Sequence, residues 1–342
     1  MKIFKYILFV ATSLSCVTSS AFAIDSQKDI ATLEQKANQN DVETQYKLGM
    51  MYKDGKGVAQ NYTKAIEYFT KAANQGFALA QYNLGEMYYC AQGIPQDYTK
   101  ALEYFTKAAN QGYASAQYNL GVMYRDGQGV SKDYAKAIEY FIKAANQGDI
   151  QAQFNLGMIY MNGPNSVKDY TKSAEYFTKA ANQGFALAQY NLGVLYRDGQ
   201  GVSKDYAKAI EYFEKAANQG NVEAQFNLGG MYYAALGVPQ DYTKAIEYFT
   251  KAANKGFALA QYNLGVIYRD GLGVSKDYAK AIEYFTKVAN QGNVKAQFNL
   301  GEMYENGSGV FKNKEKAKEY YQKACLNQLQ EGCDAYKKLN EE

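Results

Sequence analysis

The sequence contains no histidine. That absence removes Ser-His and Cys-His catalysis, histidine-ligated zinc and the usual general base near neutral pH. No charge of one sign dominates: 37 Lys and Arg stand against 34 Asp and Glu, with no long run of either. A nucleic-acid footprint is therefore not expected. The chain also lacks S-x-x-K, K-T-G and G-x-S-x-G, so serine β-lactamase and α/β-hydrolase chemistry have no nucleophile in it. "MMYKDGKGV" fails the spacing of a phosphate loop, and the "DGKG" and "DGQG" turns lack the further acidic ligands of a calcium loop. Asp54 and its equivalents read as turn residues. These absences leave no expected catalytic residue, metal ligand set or cofactor.

Long apolar runs are scarce as well. The one at the N-terminus, "MKIFKYILFVATSLSCVTSSAFA", opens with Lys2 and Lys5, continues through an apolar core from Tyr6 to Val17, and ends on Ala21 and Ala23. That order is the pattern of a cleaved secretory signal at 1–23. Its core is short for a membrane span, so no stable membrane insertion is expected after cleavage. Cys16 lacks the leucine three residues earlier that a lipobox needs, because Ser13 stands there. The expected location is periplasmic or secreted.

What the sequence does have is a period. Leu-Gly recurs at 48, 84, 120, 156, 192, 228, 264 and 300, a constant step of 36 residues. This defines repeats 1 to 8 at 41–76, 77–112, 113–148, 149–184, 185–220, 221–256, 257–292 and 293–328. A strict period of this length marks a solenoid, in which each unit buries its apolar face against its neighbours. In repeat 2, Ala80, Leu84, Met87 and Tyr88 form one helical stripe, and a turn with Gly93 and Pro95 follows. Asp97 is placed to cap a second helix whose inward face is Tyr98, Ala101, Leu102, Phe105 and Ala109. Gly112 suits the left-handed C-terminal position. Each repeat reads as a helical hairpin, and no strand pattern appears.

"AQYNLGVMYRDGQGVSKDYAKAIEYFIKAANQG" closely resembles the Sel-1-like repeat, a relative of the tetratricopeptide repeat, and the resemblance covers 41–328. It implies an all-α fold, a right-handed α-solenoid superhelix of eight 36-residue helix-turn-helix repeats with terminal capping helices. It also implies a scaffold or adaptor for other proteins, often in envelope processes or host interaction. Residues 24–40 would cap the start as a lone second helix, and 329–342 the end as a half-repeat.

A longer period lies over the first. Repeats 3, 5 and 7 share "YRDG" and "SKDYAKAIEYF", and repeats 4, 6 and 8 share "AQFNLG", so duplication copied pairs of 72 residues. With Leu84 facing inward, Leu79, Glu86 and Tyr89 lie at about −140°, −160° and 140° on the helical wheel. These positions vary between repeats. They place Arg125, Arg197 and Arg269 in a basic row with Tyr89 and Tyr233 between. Arg and Tyr are common at binding hot spots, so this stripe is the candidate partner surface; the competing reading is solvated positions free to drift. Tyr82, Tyr118, Tyr190 and Tyr262, replaced by Phe154, Phe226 and Phe298, read as core. Asn83, Asn119 and Asn155 read as structural, bonding the backbone of an adjacent loop. In repeat 4 the turn is "NGPNSVKDY" and Ser173-Ala174 replaces Ala-Ile, which marks it as the softest joint if a buried isoleucine is lost.

Cys325 and Cys333 take the register of Ala73 and Gln81, near the end of one helix and the start of the next. In an exported chain that geometry reads as a disulfide. Its A-C-x7-C arrangement resembles cysteine-rich secreted Sel-1-like proteins, some catalogued as β-lactamases, although those carry a pair in nearly every repeat. Cys90 stands alone as a free thiol, an intermolecular link or a chance substitution. The leading functional expectation is an exported, monomeric, non-enzymatic scaffold that binds protein. The alternatives are a β-lactamase-like or peptidoglycan-acting hydrolase and a glycan- or peptidoglycan-binding module.

Overall fold

The computed structural model describes residues 27–341. The expected leader at 1–23, with Cys16, lies outside the described residues. Among those described there are eighteen helices and no strand. They are α1 (Gln27–Asn38), α2 (Val42–Asp54), α3 (Tyr62–Asn74), α4 (Ala78–Cys90), α5 (Tyr98–Asn110), α6 (Ala114–Asp126), α7 (Tyr134–Asn146), α8 (Ile150–Asn162) and α9 (Tyr170–Asn182). Then follow α10 (Ala186–Asp198), α11 (Tyr206–Asn218), α12 (Val222–Tyr233), α13 (Tyr242–Asn254), α14 (Ala258–Asp270), α15 (Tyr278–Ala289), α16 (Val294–Asn306), α17 (Lys314–Leu326) and α18 (Gln330–Glu341). The architecture is an all-α solenoid of paired helices.

The sequence dictates each hairpin locally. Second helices start on Asn or Asp: Asp97 Oδ1 accepts the Lys100 N–H at 3.0 Å, and Asp205 does the same for Lys208, filling one of the orphan donors of the first turn. First helices such as α2 and α6 stop where Gly55 and Gly127 adopt left-handed φ of 69° and 77°. Inside seven of the hairpins, glycine admits the partner's ring. A Cβ on Gly85 would sit 2.6 Å from Phe105 Cδ1. Phe105 is buried with Ala80, Leu84, Met87, Ala101 and Ala108, and a fully buried phenylalanine contributes about 1.5–3 kcal/mol.

A glutamine ladder ties successive hairpins. Gln81 is buried; its Nε2 donates to Ala73 O at 3.2 Å and its Oε1 accepts from Gln111 at 2.8 Å. On the opposite flank tyrosines stack in pairs under lysine. Tyr88 and Tyr104 lie 5.8 Å apart and nearly parallel, with Lys100 and Lys107 5.1 and 5.2 Å over their respective rings. Tyr196 and Tyr212, under Lys208 and Lys215, repeat the arrangement.

The helices fall into two compact units. One holds the described residues to Met123 with Gly127–Ser131, the other Tyr124–Asp126 with Lys132 onward. In the first, α1 packs on α2 and shows Asp29, Gln35 and Lys36 to solvent. In the second, α18 packs on α17 and carries exposed Lys337 at the register of the ring-accepting glycines. At that register in repeat 8, Gly301 faces Tyr321, whose Cδ1 would lie 2.5 Å from a Cβ. An exposed lysine thus stands in α18 where repeat 8 has its ring-accepting glycine.

Candidate interaction surface

The variable positions lie on first helices, Leu79, Glu86 and Tyr89 in the first compact unit and Arg125, Arg197, Tyr233 and Arg269 in the second. Arg125 Nη1 donates to Asn155 Oδ1 and Arg197 Nη1 to Asn227 Oδ1, each at 2.5 Å, and Arg269 makes the same bond to Asn299. The remaining guanidinium donors clasp the next residue: Arg125 reaches Asp126 at 2.7 Å through both Nε and Nη2, and Arg197 and Arg269 likewise hold Asp198 and Asp270. The hydrogen bonds from Arg269 hold the Asp270 carboxyl below its ordinary value, while Asp270 raises that of Arg269. The expected basic row is therefore a row of Arg–Asp pairs, each bridging one repeat to the next. About 29–31% of each arginine side chain remains exposed.

The other stripe residues are similarly engaged. Glu86, expected on a free face, pairs with Lys53 at 3.6 Å, both side chains only 14% exposed. It also accepts the Tyr82 hydroxyl at 2.7 Å. Burial foremost, with the Glu86 charge beside it, pushes the Tyr82 phenol well above its usual range. Tyr89 donates to Gln128 at 2.7 Å and meets Tyr98 edge-on, as Tyr233 meets Tyr242. Leu79 is half-buried, and its equivalent Leu259 is 48% exposed.

Three expectations change. The asparagines do not bond an adjacent loop: Asn155 Nδ2 donates to Gln151 O four residues back in its own helix, leaving Oδ1 for the arginine of the preceding repeat. The aspartates beside the arginines are not merely turn residues, since they end the helix and hold the guanidinium. Ser173 in repeat 4 leaves no polar orphan, because its buried hydroxyl donates to Gly157 O at 2.8 Å. Ala174 replaces a side chain that is half-buried at Ile138, Ile246 and Ile282 and buried at Ile210. The buried function of Gln81 and its equivalents went unread, although a glutamine recurring in an apolar stripe was its signal.

Cys325 and Cys333 are joined, their Sγ atoms 1.96 Å apart, and tie α17 to α18. Cys90 is a free, exposed thiol and the last residue of α4. Among the described residues no group of three or more His, Cys, Asp or Glu side chains could hold a metal ion, and no helix is long and apolar enough to cross a membrane.

The Sel1 repeat family model matches residues 42–77, 78–113, 114–149, 150–185, 186–221, 222–257, 258–293 and 294–328. No curated protein matches the chain. Among solved structures, c5321, a protective antigen present in uropathogenic Escherichia coli strains and displaying an SLR fold, is 37% identical with a TM-score of 0.82. The match covers 89% of this chain and 65% of that one, so the chain spans less than two thirds of that relative. A Sel1 repeat protein from Oxalobacter formigenes is 32% identical, with a TM-score of 0.72 over 91% of this chain and 90% of that one.

Proposed function

The chain belongs to the Sel1 repeat family, and from that premise we propose that it is an exported, monomeric, non-enzymatic scaffold that binds protein partners in the cell envelope or from a host. Proteins of this family are generally protein-interaction scaffolds. The observation that carries the reading is the stripe: on face after face, Arg and Tyr are held in one conformation by Asp, Asn and ring contacts, yet keep an exposed edge. Side chains ordered before binding lose less freedom when a partner arrives, and Arg and Tyr supply hot-spot chemistry. Leu79, Glu86, Tyr89, Arg125, Arg197, Tyr233 and Arg269 are the contact positions in this proposal.

Location rests on three supports. The leader at 1–23 has the order of a secretory signal, and the Cys325–Cys333 disulfide suits an oxidising compartment. A relative described as a protective antigen supports the same placement. The polar outer faces of α1 and α18 favour a monomer over end-to-end growth.

The test is affinity capture from envelope extract with wild-type bait and a bait carrying Leu79→Ser, Tyr89→Arg and Tyr233→Arg. Those residues already occupy the same places at Ser115, Arg125 and Arg197, so the fold tolerates them. A partner held by the first bait and lost by the second is expected. Identical captures would remove the stripe from the account. Hydrolysis of a β-lactam or peptidoglycan by the wild type would replace the scaffold reading with an enzyme.

A further inference from the structure

Within the second compact unit, which begins inside repeat 3, successive repeats meet through two chemically distinct joints, and the two kinds alternate. The joints from repeat 3 to 4, 5 to 6 and 7 to 8 are hydrogen-bonded. Each carries the arginine clamp to Asn155, Asn227 or Asn299. Each also starts its incoming first helix on a polar cap: Asp149, Asn221 and Asn293 accept the N–H of Ala152, Ala224 and Ala296 at 2.7, 2.7 and 2.9 Å. Two of them add a bond at the far end of the hairpin, from Gln183 Nε2 to Gly148 O at 3.2 Å and from Lys255 Nζ to Gly220 O at 2.7 Å. At the third, Asn299 Nδ2 reaches the Tyr262 hydroxyl at 3.4 Å.

The joints from 4 to 5 and 6 to 7 are apolar. Phe154 meets Phe185, and Phe226 meets Phe257, each pair with ring centroids 5.1 Å apart. Phe185 and Phe257 are themselves the N-cap residues of α10 and α14, and neither offers a side-chain cap. Met161 and Tyr233 stand where the clamping arginines would be. Among the described residues, the side-chain hydrogen bonds across these joints are those of the glutamine ladder shared with the other joints, Gln189 to Ala181 O and Gln261 to Ala253 O.

Hydrogen bonds fix direction as well as distance. Apolar burial is non-directional, so surfaces held chiefly by it can slide. We infer that repeats 5–6 and 7–8 each move as a rigid pair, and that the second compact unit bends at the 4/5 and 6/7 joints. The 72-residue period of the sequence is then a mechanical period, alternating fixed joints with compliant ones. Bending at two set places would alter the spacing of the stripe in two-repeat steps. The inference concerns the chain alone and holds whatever it binds.

Spin labels at Lys172, Lys208 and Lys244 test it, since these residues occupy the same place in repeats 4, 5 and 6. In a chain with Cys16→Ser and Cys90→Ser and its disulfide intact, the pair Lys172→Cys/Lys208→Cys spans a compliant joint. The pair Lys208→Cys/Lys244→Cys spans a fixed one. Pulsed electron–electron double resonance should give a wider distance distribution for the first pair than for the second. Met161→Arg with Asn162→Asp installs a clamp facing Asn191 and should narrow the first distribution. Arg197→Met removes one and should broaden the second. Equal widths in the starting chain would overturn the inference, as would widths indifferent to both changes; if the clamp-adding variant does not fold, the Arg197→Met arm decides.

Discussion

Gly229 and Gly230 are neighbours in α12 with opposite surroundings, and replacing each with alanine separates packing from helix propensity. A Cβ on Gly229 would lie 2.6 and 2.7 Å from Cδ1 and Cε1 of Phe249, a ring that is 1% exposed and has nowhere to move. A Cβ on Gly230 would meet nothing within 4 Å. Both substitutions gain the intrinsic preference of alanine over glycine in a helix, about 0.8–1 kcal/mol. Gly230→Ala keeps that gain and should raise stability by about 0.5–1 kcal/mol. Gly229→Ala must add the overpacking term, roughly 1–3 kcal/mol, so the net effect is a loss of up to about 2 kcal/mol. Because the helix term is common to both, the difference between the variants isolates the clash. Urea denaturation followed by circular dichroism measures it, with hydrogen exchange across repeat 6 read alongside because repeat arrays can unfold in parts. Gly229→Ala as stable as Gly230→Ala would refute the ring-in-glycine packing that recurs from hairpin to hairpin.

Reducing the Cys325–Cys333 bond, or replacing both residues with serine, should cost roughly 2–3 kcal/mol for so short a loop; the loss should be confined to α17 and α18 in hydrogen exchange. Arg197→Ala breaks the bond to Asn227 and should lower the unfolding free energy by roughly 1–2 kcal/mol in urea denaturation, charge-assisted bonding being discounted for partial exposure. Alkali should unfold the protein cooperatively. Burial raises the Tyr68 phenol from 10.0 to about 12, and burial likewise raises Tyr46, Tyr104 and Tyr190. The unfolded chain therefore loses phenolic protons first, and stability that is full below pH 10 falls as pH climbs through about 12. Absorbance at 295 nm should show these phenolates appearing together with loss of helical signal; smooth titration at pH 10 in folded protein would contradict the burial.

The hairpin was legible because its signals are local. Asp97, Gly112 and the spacing of Ala80, Leu84 and Met87 each act within one helix or one turn. The stripe was read less well because a helical wheel considers one buried side. A solenoid helix packs on its own partner and also on the first helices before and after it. Tyr89 at about 140° therefore points away from Leu84 and still meets Tyr98 and Gln128. The arginine clamp joins residues 30 positions apart, from a variable place to an unvarying one, and no pattern within either helix couples them. The 72-residue period was visible as letters, whereas its division into polar and ring joints needed Asp149, Phe154, Phe185 and Asn221 placed against their neighbours.

The most direct test of the scaffold reading is photocrosslinking in the living cell. Benzoylphenylalanine would be placed singly at Tyr89, at Tyr233 and, as a control on an exposed second-helix position, at Lys143. The account predicts that illumination at 89 and 233 traps the same protein partner and that 143 traps none. Partners trapped from 143 alone, or no protein trapped from any site, would contradict it.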